Sequence, residues 1–346
     1  MAPRRFEYDL DEDVQALIQH SGVNVNAFRG KKILITGGTG FFGIWFLSAL
    51  SKIQKVLEGN LHVYVVTRSV KNFLTSSKRM SLTLDLEFIQ GDIREVQLGS
   101  KCITHLVHMA TTNASETFAG EDQLNKLKVL YEGTENILSQ CTASLESVLF
   151  TSSGVTYGPC HTEKITEKTP NAPDSTDLGS GLALGKLVAE YLVAYYATKL
   201  GYKYSIARCF SFAGQYLPLD LHYAFGNFVQ NALDGQDVLI QGDGADKRSY
   251  LYIGDALAWL LKMLTEPKNQ VLNVGSERAI TVKDLADLIA ENSGLKVQLI
   301  GKDRDVGNFR RPSYVPDTTK IRQFYPGLDE WTSIHEIARK MLITKK

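Results

Sequence analysis

Cysteine is scarce and unclustered in this sequence: Cys102, Cys141, Cys160 and Cys209 are the only four in 346 residues. They form no CxxC spacing and no Cys/His cluster, and three of them fall in stretches that read as buried, so small core residues are expected and a metal site is not. Net charge is also lacking. Lys plus Arg and Asp plus Glu both total 38, which argues against nucleic acid or an anionic membrane as partner and leaves any anionic ligand to local positive charges. No apolar run approaches the about 18 residues of a membrane span, and the start MAPRRFEYDLDED is polar and unlike a signal peptide, so a cytoplasmic protein is expected. Internal repeats and low-complexity segments are absent too.

What is present is a 44% hydrophobic chain long enough for a large core shared by two lobes. Residues 1–30 read as an N-terminal appendage with one helix, opened by Asp9 or Asp11 and carrying Val14, Leu17 and Ile18 on one face. From Lys31 short apolar runs alternate with amphipathic stretches: KKILITGG, FFGIWFLSALSKI, LHVYVVTRS, LEFIQGDI, HLVHMA, LKVLYEGTENILSQ, SVLFTSS. That alternation predicts βαβ units winding a parallel sheet. A long helix from Gly181 to Leu200 and a strand in YSIARCFSF continue it. The expected fold is α/β, a doubly wound parallel sheet over 31–212 with part of 245–265 interleaved. A smaller α/β lobe over 213–346 packs at the sheet's carboxyl edge.

The first strand, Ile33 to Thr36, runs into Gly37-Gly38-Thr39-Gly40-Phe41-Phe42-Gly43 and then a helix from Ile44 to Leu50. Strand, glycine spacing and helix together are a dinucleotide fingerprint on a Rossmann-type sheet. Gly37 turns the chain off the strand, Gly40 admits a pyrophosphate, Gly43 lets the helix lie close, and the helix N-terminus offers N–H groups to the phosphates. Thr39, Phe41 and Phe42 share this turn and are cofactor-contact candidates. The second strand ends in Thr67-Arg68-Ser69, without the acid that would accept from the ribose 2′-hydroxyl of NAD. Arg68 suits a 2′-phosphate and so favours NADP, with NAD the alternative. Asp92 is placed to accept from the adenine amino group, and Ile93 and Ala110 complete the cofactor contacts at strand ends.

The GxxGxxG spacing, GDI at 91–93, SSGVTYG at 152–158, Lys186, GDG…RSYLYIGD at 242–255 and NVGS at 273–276 together resemble the extended short-chain dehydrogenase/reductase family. Within it, the nucleotide-sugar epimerases, dehydratases and ketoreductases are most similar, over roughly residues 30–330. The resemblance implies that Ser153 holds the reacting sugar oxygen and that Lys186 holds the nicotinamide ribose. It also exposes a departure: four residues before Lys186, where the family has its proton-carrying tyrosine, stands Leu182, which can neither give nor take a proton. Tyr157, His222 and Tyr223 are the possible substitute acids; a protein that binds without turnover, or a residue altered to trap a ligand, are the other readings. The Asp-Glu pair that family dehydratases place after the strand-end serine is replaced by Gly154-Val155, which argues against dehydration.

By the same resemblance Asn227, Arg248 and Arg311 would bind the diphosphate of a nucleotide-diphosphate sugar, the guanidiniums through paired bonds. The loop 217–223, with His222, would cover the sugar, and Phe210-Ser211 replaces the family's Phe-Asn. The implied function is an NADP-dependent oxidoreductase of polysaccharide or glycoconjugate synthesis, reducing a 4-keto(-6-deoxy) nucleotide sugar. The alternatives are a 4-epimerase retaining NAD(P) and a catalytically silent binding protein. Helices over 124–138 and 182–200 would pair two copies into a homodimer.

Overall fold

A computed structural model describes residues 10–77, 84, 86–111, 120, 122–170, 172–219, 223–300 and 314–343. In the first half the order is α1 (Leu10–His20), β1 (Lys31–Thr36), α2 (Phe41–Val56), β2 (Leu61–Thr67), α3 (Val70–Ser77), β3 (Leu86–Gln90), β4 (His105–His108), α4 (Gln123–Ser139), β5 (Ser147–Ser153), α5 (Gly181–Leu200) and β6 (Lys203–Cys209). The second half adds β7 (Phe212–Ala213), α6 (Ala224–Leu233), β8 (Val238–Ile240), β9 (Lys247–Ser249), β10 (Leu251–Tyr252), α7 (Ile253–Thr265), β11 (Gln270–Val274), β12 (Ala279–Thr281), α8 (Val282–Ser293), β13 (Val297–Leu299), α9 (Thr319–Phe324) and α10 (Ile334–Leu342).

Seven strands form one sheet in the order β11-β6-β5-β4-β1-β2-β3, every neighbouring pair parallel. The strands are apolar on both faces because helices cover both. Along β1, Ile33 and Ile35 enter a core with α1, α2 and α7, whereas Leu34 enters a second core with α4 and α5; β2 repeats this with Val63 and Val65 against Tyr64 and Val66. The strand order reverses between β1 and β4, which opens a crevice at their carboxyl ends, the usual ligand position in such sheets.

Beyond β6 the chain builds short two-stranded pairs, β8 with β13, β9 with β12 and β7 with β10. One boundary differs from the sequence expectation: β11, at 270–274, falls inside the stretch assigned to the second lobe, yet it is an edge strand of the main sheet. The physical reason is that a parallel strand needs a crossover, and α7, which buries Trp259, Leu260 and Leu264, supplies it on the sheet's face. The N-terminal helix also belongs to the core. It buries Leu10, Val14 and Leu17, and Asp13 accepts from the Tyr252 hydroxyl and from Lys340 Nζ at 3.0 Å, tying α1 to α10.

Candidate active site

The glycine turn is built from close backbone contacts. Gly37 has φ 73°, and a Cβ there would lie 2.7 Å from the Met109 carbonyl carbon, so β1 turns off the sheet against the end of β4. At Gly43 a Cβ would stand 2.3 Å from the backbone of Gly38: the close approach is of α2 to the turn itself. Gly40 differs. It is the N-cap of α2 with no side-chain cap, and a Cβ would meet nothing nearer than the Gly37 carbonyl oxygen at 3.6 Å, so the chain's own packing does not demand glycine there. Phe41 and Phe42 point their rings into the core, Phe42 edge-on to Phe212 at 5.0 Å, which leaves only their backbone N–H groups for a phosphate.

The turn is fastened from below by a buried relay. Thr36 Oγ1 accepts from the N–H groups of Met109 and Ala110, both at 3.2 Å, so its proton goes to His108 Nδ1 at 2.8 Å, and His108 Nε2 donates to Thr134 at 2.9 Å. Burial pushes the imidazole down to about 3; it is neutral, as that tautomer requires.

Above the turn lies a cavity of about 380 Å³ whose walls include Thr39, Gly40, Arg68, Asp92, Ile93 and Ala110. Arg94, which sequence reasoning passed over, lines it as well and grips Asp92 with two bonds, Nε to Oδ1 at 2.9 Å and Nη2 to Oδ2 at 3.0 Å. The Arg94 hydrogen bond holds the Asp92 carboxyl below the usual range. Oδ1 also takes the Arg94 N–H at 2.9 Å, so Oδ2 is the oxygen with a lone pair for a base amino group. The signal for Arg94 was its place two residues after Asp92 in the same strand-end turn.

At the end of β5 the groups expected to do chemistry converge. Lys186, on α5, is 4% exposed; its Nζ donates to the Thr151 carbonyl at 2.6 Å and lies 4.9 Å from the centre of the Phe150 ring. Burial pulls the ammonium down to about 8. Ser153 closes β5 in register with Cys209, its hydroxyl accepting from Val155 N–H at 3.3 Å. Leu182 is one turn before Lys186 and partly buried. Its helix is pressed against α4 through two glycines, a Cβ on Gly181 falling 2.2 Å from the Gln123 carbonyl oxygen and one on Gly185 3.1 Å from Leu127 Cα.

The three substitute acids fare differently. Tyr157 is 1% exposed, and its hydroxyl donates to Asn273 Oδ1 at 2.7 Å. The Arg208 guanidinium covers its ring at 4.6 Å and is itself held by Glu190 at 3.0 and 2.8 Å. Burial pushes the phenol up to about 12. Tyr157 thus stitches the end of β5 to β11. Tyr223 is half exposed at the start of α6, and His222 lies outside the described residues. Sequence reasoning missed Tyr314, whose hydroxyl lies beside Gly154, the residue after Ser153, and nothing in the local sequence marks it.

On the second lobe Asn227 lines a cavity of about 640 Å³ together with Gln230, Asn231, Gln241, Asp243 and Asp246. Arg248, on β9, faces Asp246 at 3.7 Å and donates to the Lys247 carbonyl at 2.8 Å. Arg311 lies outside the described residues. Among the described residues no group of His, Cys, Asp and Glu is arranged to hold a metal ion, and no helix is long and apolar enough to cross a membrane.

Among solved structures, the UDP-N-acetylglucosamine 4-epimerase of Methanobrevibacter ruminantium M1, in complex with UDP-N-acetylmuramic acid, shares the fold with a TM-score of 0.75 at 19% identity, covering 91% of this chain and 98% of that one. The UDP-glucose 4-epimerase of Thermotoga maritima with UDP-glucose gives 0.71 at 21% identity, covering 90% and 98%. In sequence the chain is 26% identical over 298 residues to UDP-glucuronic acid decarboxylase 5 of Arabidopsis thaliana, covering 84% of this chain and 83% of that protein. The profile of the NAD dependent epimerase/dehydratase family matches residues 33–275. The chain belongs to the NAD dependent epimerase/dehydratase family.

Proposed function

We propose that this protein is an NADP-dependent oxidoreductase acting on a nucleotide-diphosphate sugar, and that it reduces a 4-keto(-6-deoxy) sugar. The observation that carries the reading is the placement of the Gly37–Gly43 turn after β1 and of the Ser153 hydroxyl and the buried Lys186 ammonium at β5, all at the carboxyl ends of strands in one parallel sheet. The residues present fit a nicotinamide dinucleotide: Gly40 has room for a pyrophosphate where a side chain would intrude, and Arg68 and Arg94 put two guanidiniums on the wall of the same cavity. Such a cofactor, when bound, supplies the hydride for the carbonyl carbon. The turn's N–H groups hold the pyrophosphate, Lys186 donates to the nicotinamide ribose, and Ser153 donates to the reacting oxygen. Asn227 and Arg248 meet the sugar-nucleotide diphosphate, a role extended to Arg311, with His222 over the sugar.

The test is incubation with NADPH and a dTDP-4-keto-6-deoxy sugar. Stoichiometric loss of NADPH absorbance is the expected result. Interconversion of UDP-sugars without net cofactor consumption would establish the 4-epimerase, which the two epimerases of like fold favour; no turnover across a broad panel with either cofactor would leave the silent binding protein that Leu182 suggests.

Cofactor preference has its own measurement. Replacing Arg68 by serine is expected to weaken NADPH binding about tenfold, near 1.4 kcal/mol, and to leave NADH binding unchanged. Equal loss for both cofactors would remove the 2′-phosphate role. For assembly, the paired faces of α4 and α5 expose Leu124, Tyr131, Val188, Tyr191 and Tyr195, an apolar patch suited to a second copy of the chain. Sedimentation is expected to show a dimer, and Tyr191→Asp a monomer that still binds cofactor; a monomeric parent would overturn this.

A further inference from the structure

Leu182 leaves the reacting oxygen without the family's proton carrier, and the end of β5 holds another hydroxyl of the right kind. Tyr314 lies against the small apolar cluster of Tyr157, Cys160, Ile165 and Phe210, its ring 4.9 Å from that of Phe210. Its hydroxyl stands beside the backbone of Gly154, next to Ser153, and interacts electrostatically with the Ser153 side chain. Space for it comes from Gly154: a Cβ there would stand 2.9 Å from the Tyr314 oxygen, so the glycine that displaces the dehydratase pair also admits the phenol. The backbone that follows is pinned, since Ile165 N–H donates to the Val315 carbonyl and Asp317 N–H to the Ile165 carbonyl, both at 2.8 Å. Cys209, in register beside Ser153, acts electrostatically on both Lys186 and Tyr314, and the charges of Tyr223 and Arg248 act on the phenol as well.

We propose that Tyr314 is the proton-transferring residue, standing in for the tyrosine absent at residue 182 and acting on the oxygen that Ser153 holds. This rests on the nucleotide-sugar oxidoreductase reading above. In the reducing direction the carbonyl carbon receives a hydride, with its electron pair, from a reduced nicotinamide. The carbonyl oxygen takes the Tyr314 proton, and the tyrosinate left behind is reprotonated from solvent. Burial pushes this phenol up to about 12, opposed by the nearby Ser153 side chain and the Arg248 charge. It therefore stays protonated near neutrality, which suits giving a proton to a ketone better than taking one from an alcohol.

Tyr314→Phe keeps the ring and removes only the hydroxyl. The probes are UDP-glucose, dTDP-glucose and a dTDP-4-keto-6-deoxy sugar with NADPH, beside free UDP and dTDP. The expected result is a kcat lowered about 10²-fold or more and a KM raised about tenfold. By calorimetry the sugar nucleotide should bind about tenfold more weakly, while nucleoside diphosphate and NADPH affinities and Tm match the parent. A parent that turns over while Tyr314→Phe matches its kcat, or a variant that loses nucleoside diphosphate and sugar nucleotide affinity equally, overturns the role of Tyr314 alone. A parent that neither binds nor converts any probe overturns the substrate reading, and Tyr314 with it.

Discussion

Methionine in place of Lys186 is expected to cut turnover by at least about 10²-fold, and to weaken cofactor binding, without unfolding the protein. The side chain lies in an apolar slot against Phe150, with the Thr151 carbonyl as its hydrogen-bond acceptor, so an uncharged chain of similar length fits the space. The ammonium carries a folding cost that methionine does not. Burial lowers it from 10.5 to about 8. Below pH 8 the lysine is charged in both folded and unfolded chains and the cost is fully present; between 8 and 10.5 the unfolded chain binds the extra proton, and the parent gains stability as pH rises. Across that window the parent should gain on the variant by about 3 kcal/mol, from about 1.4 kcal/mol per unit. Melting curves of both proteins from neutral pH to pH 10 check it. A Tm difference that does not change with pH would show that Lys186 is not buried as a charge, and undiminished turnover would remove it from the site.

The second large effect separates two glycines of one turn. Alanine at Gly43 would place a methyl 2.3 Å from the Gly38 backbone, where neither helix nor turn can retreat without breaking the close packing. About 3 kcal/mol is lost, roughly 4 °C in Tm, and cofactor binding goes with it. Alanine at Gly40 meets only the Gly37 oxygen at 3.6 Å and should leave Tm within a degree or two. It should nonetheless weaken NADP and NAD at least tenfold, because the methyl occupies the pyrophosphate's approach. Equal effects of the two variants on Tm would refute this division, and unchanged cofactor affinity in Gly40→Ala would refute the placement of the pyrophosphate.

The backbone of this turn was legible because its elements are close in sequence: a buried strand, glycines three apart and a helix start are set by backbone sterics over a dozen residues. The sheet was legible for a similar reason, since apolar runs alternating with amphipathic helices admit few packings. The second-lobe boundary was less so, because nothing in Gln270–Val274 tells a strand returning to the old sheet from one starting a new pair. Arg94 was overlooked although it stands two residues from Asp92, because a strand-end arginine is usually solvated and only its two short bonds to Asp92 distinguish it. The Thr36, His108 and Thr134 relay was invisible because its members are 72 and 26 residues apart along the chain.

By itself the sequence determined the α/β class, the parallel winding, the glycine turn between β1 and α2 and the absence of a proton carrier at Leu182, each a property of neighbouring residues or of one residue's chemistry. Only the tertiary structure decided what surrounds the end of β5. It turned the Tyr157 hydroxyl to Asn273 on β11, brought Tyr314 to Ser153 from the far end of the chain, and stripped water from Lys186. Hydroxyl partnership and desolvation depend on which distant segments pack together, and that is fixed by burial over the whole chain rather than by any local pattern.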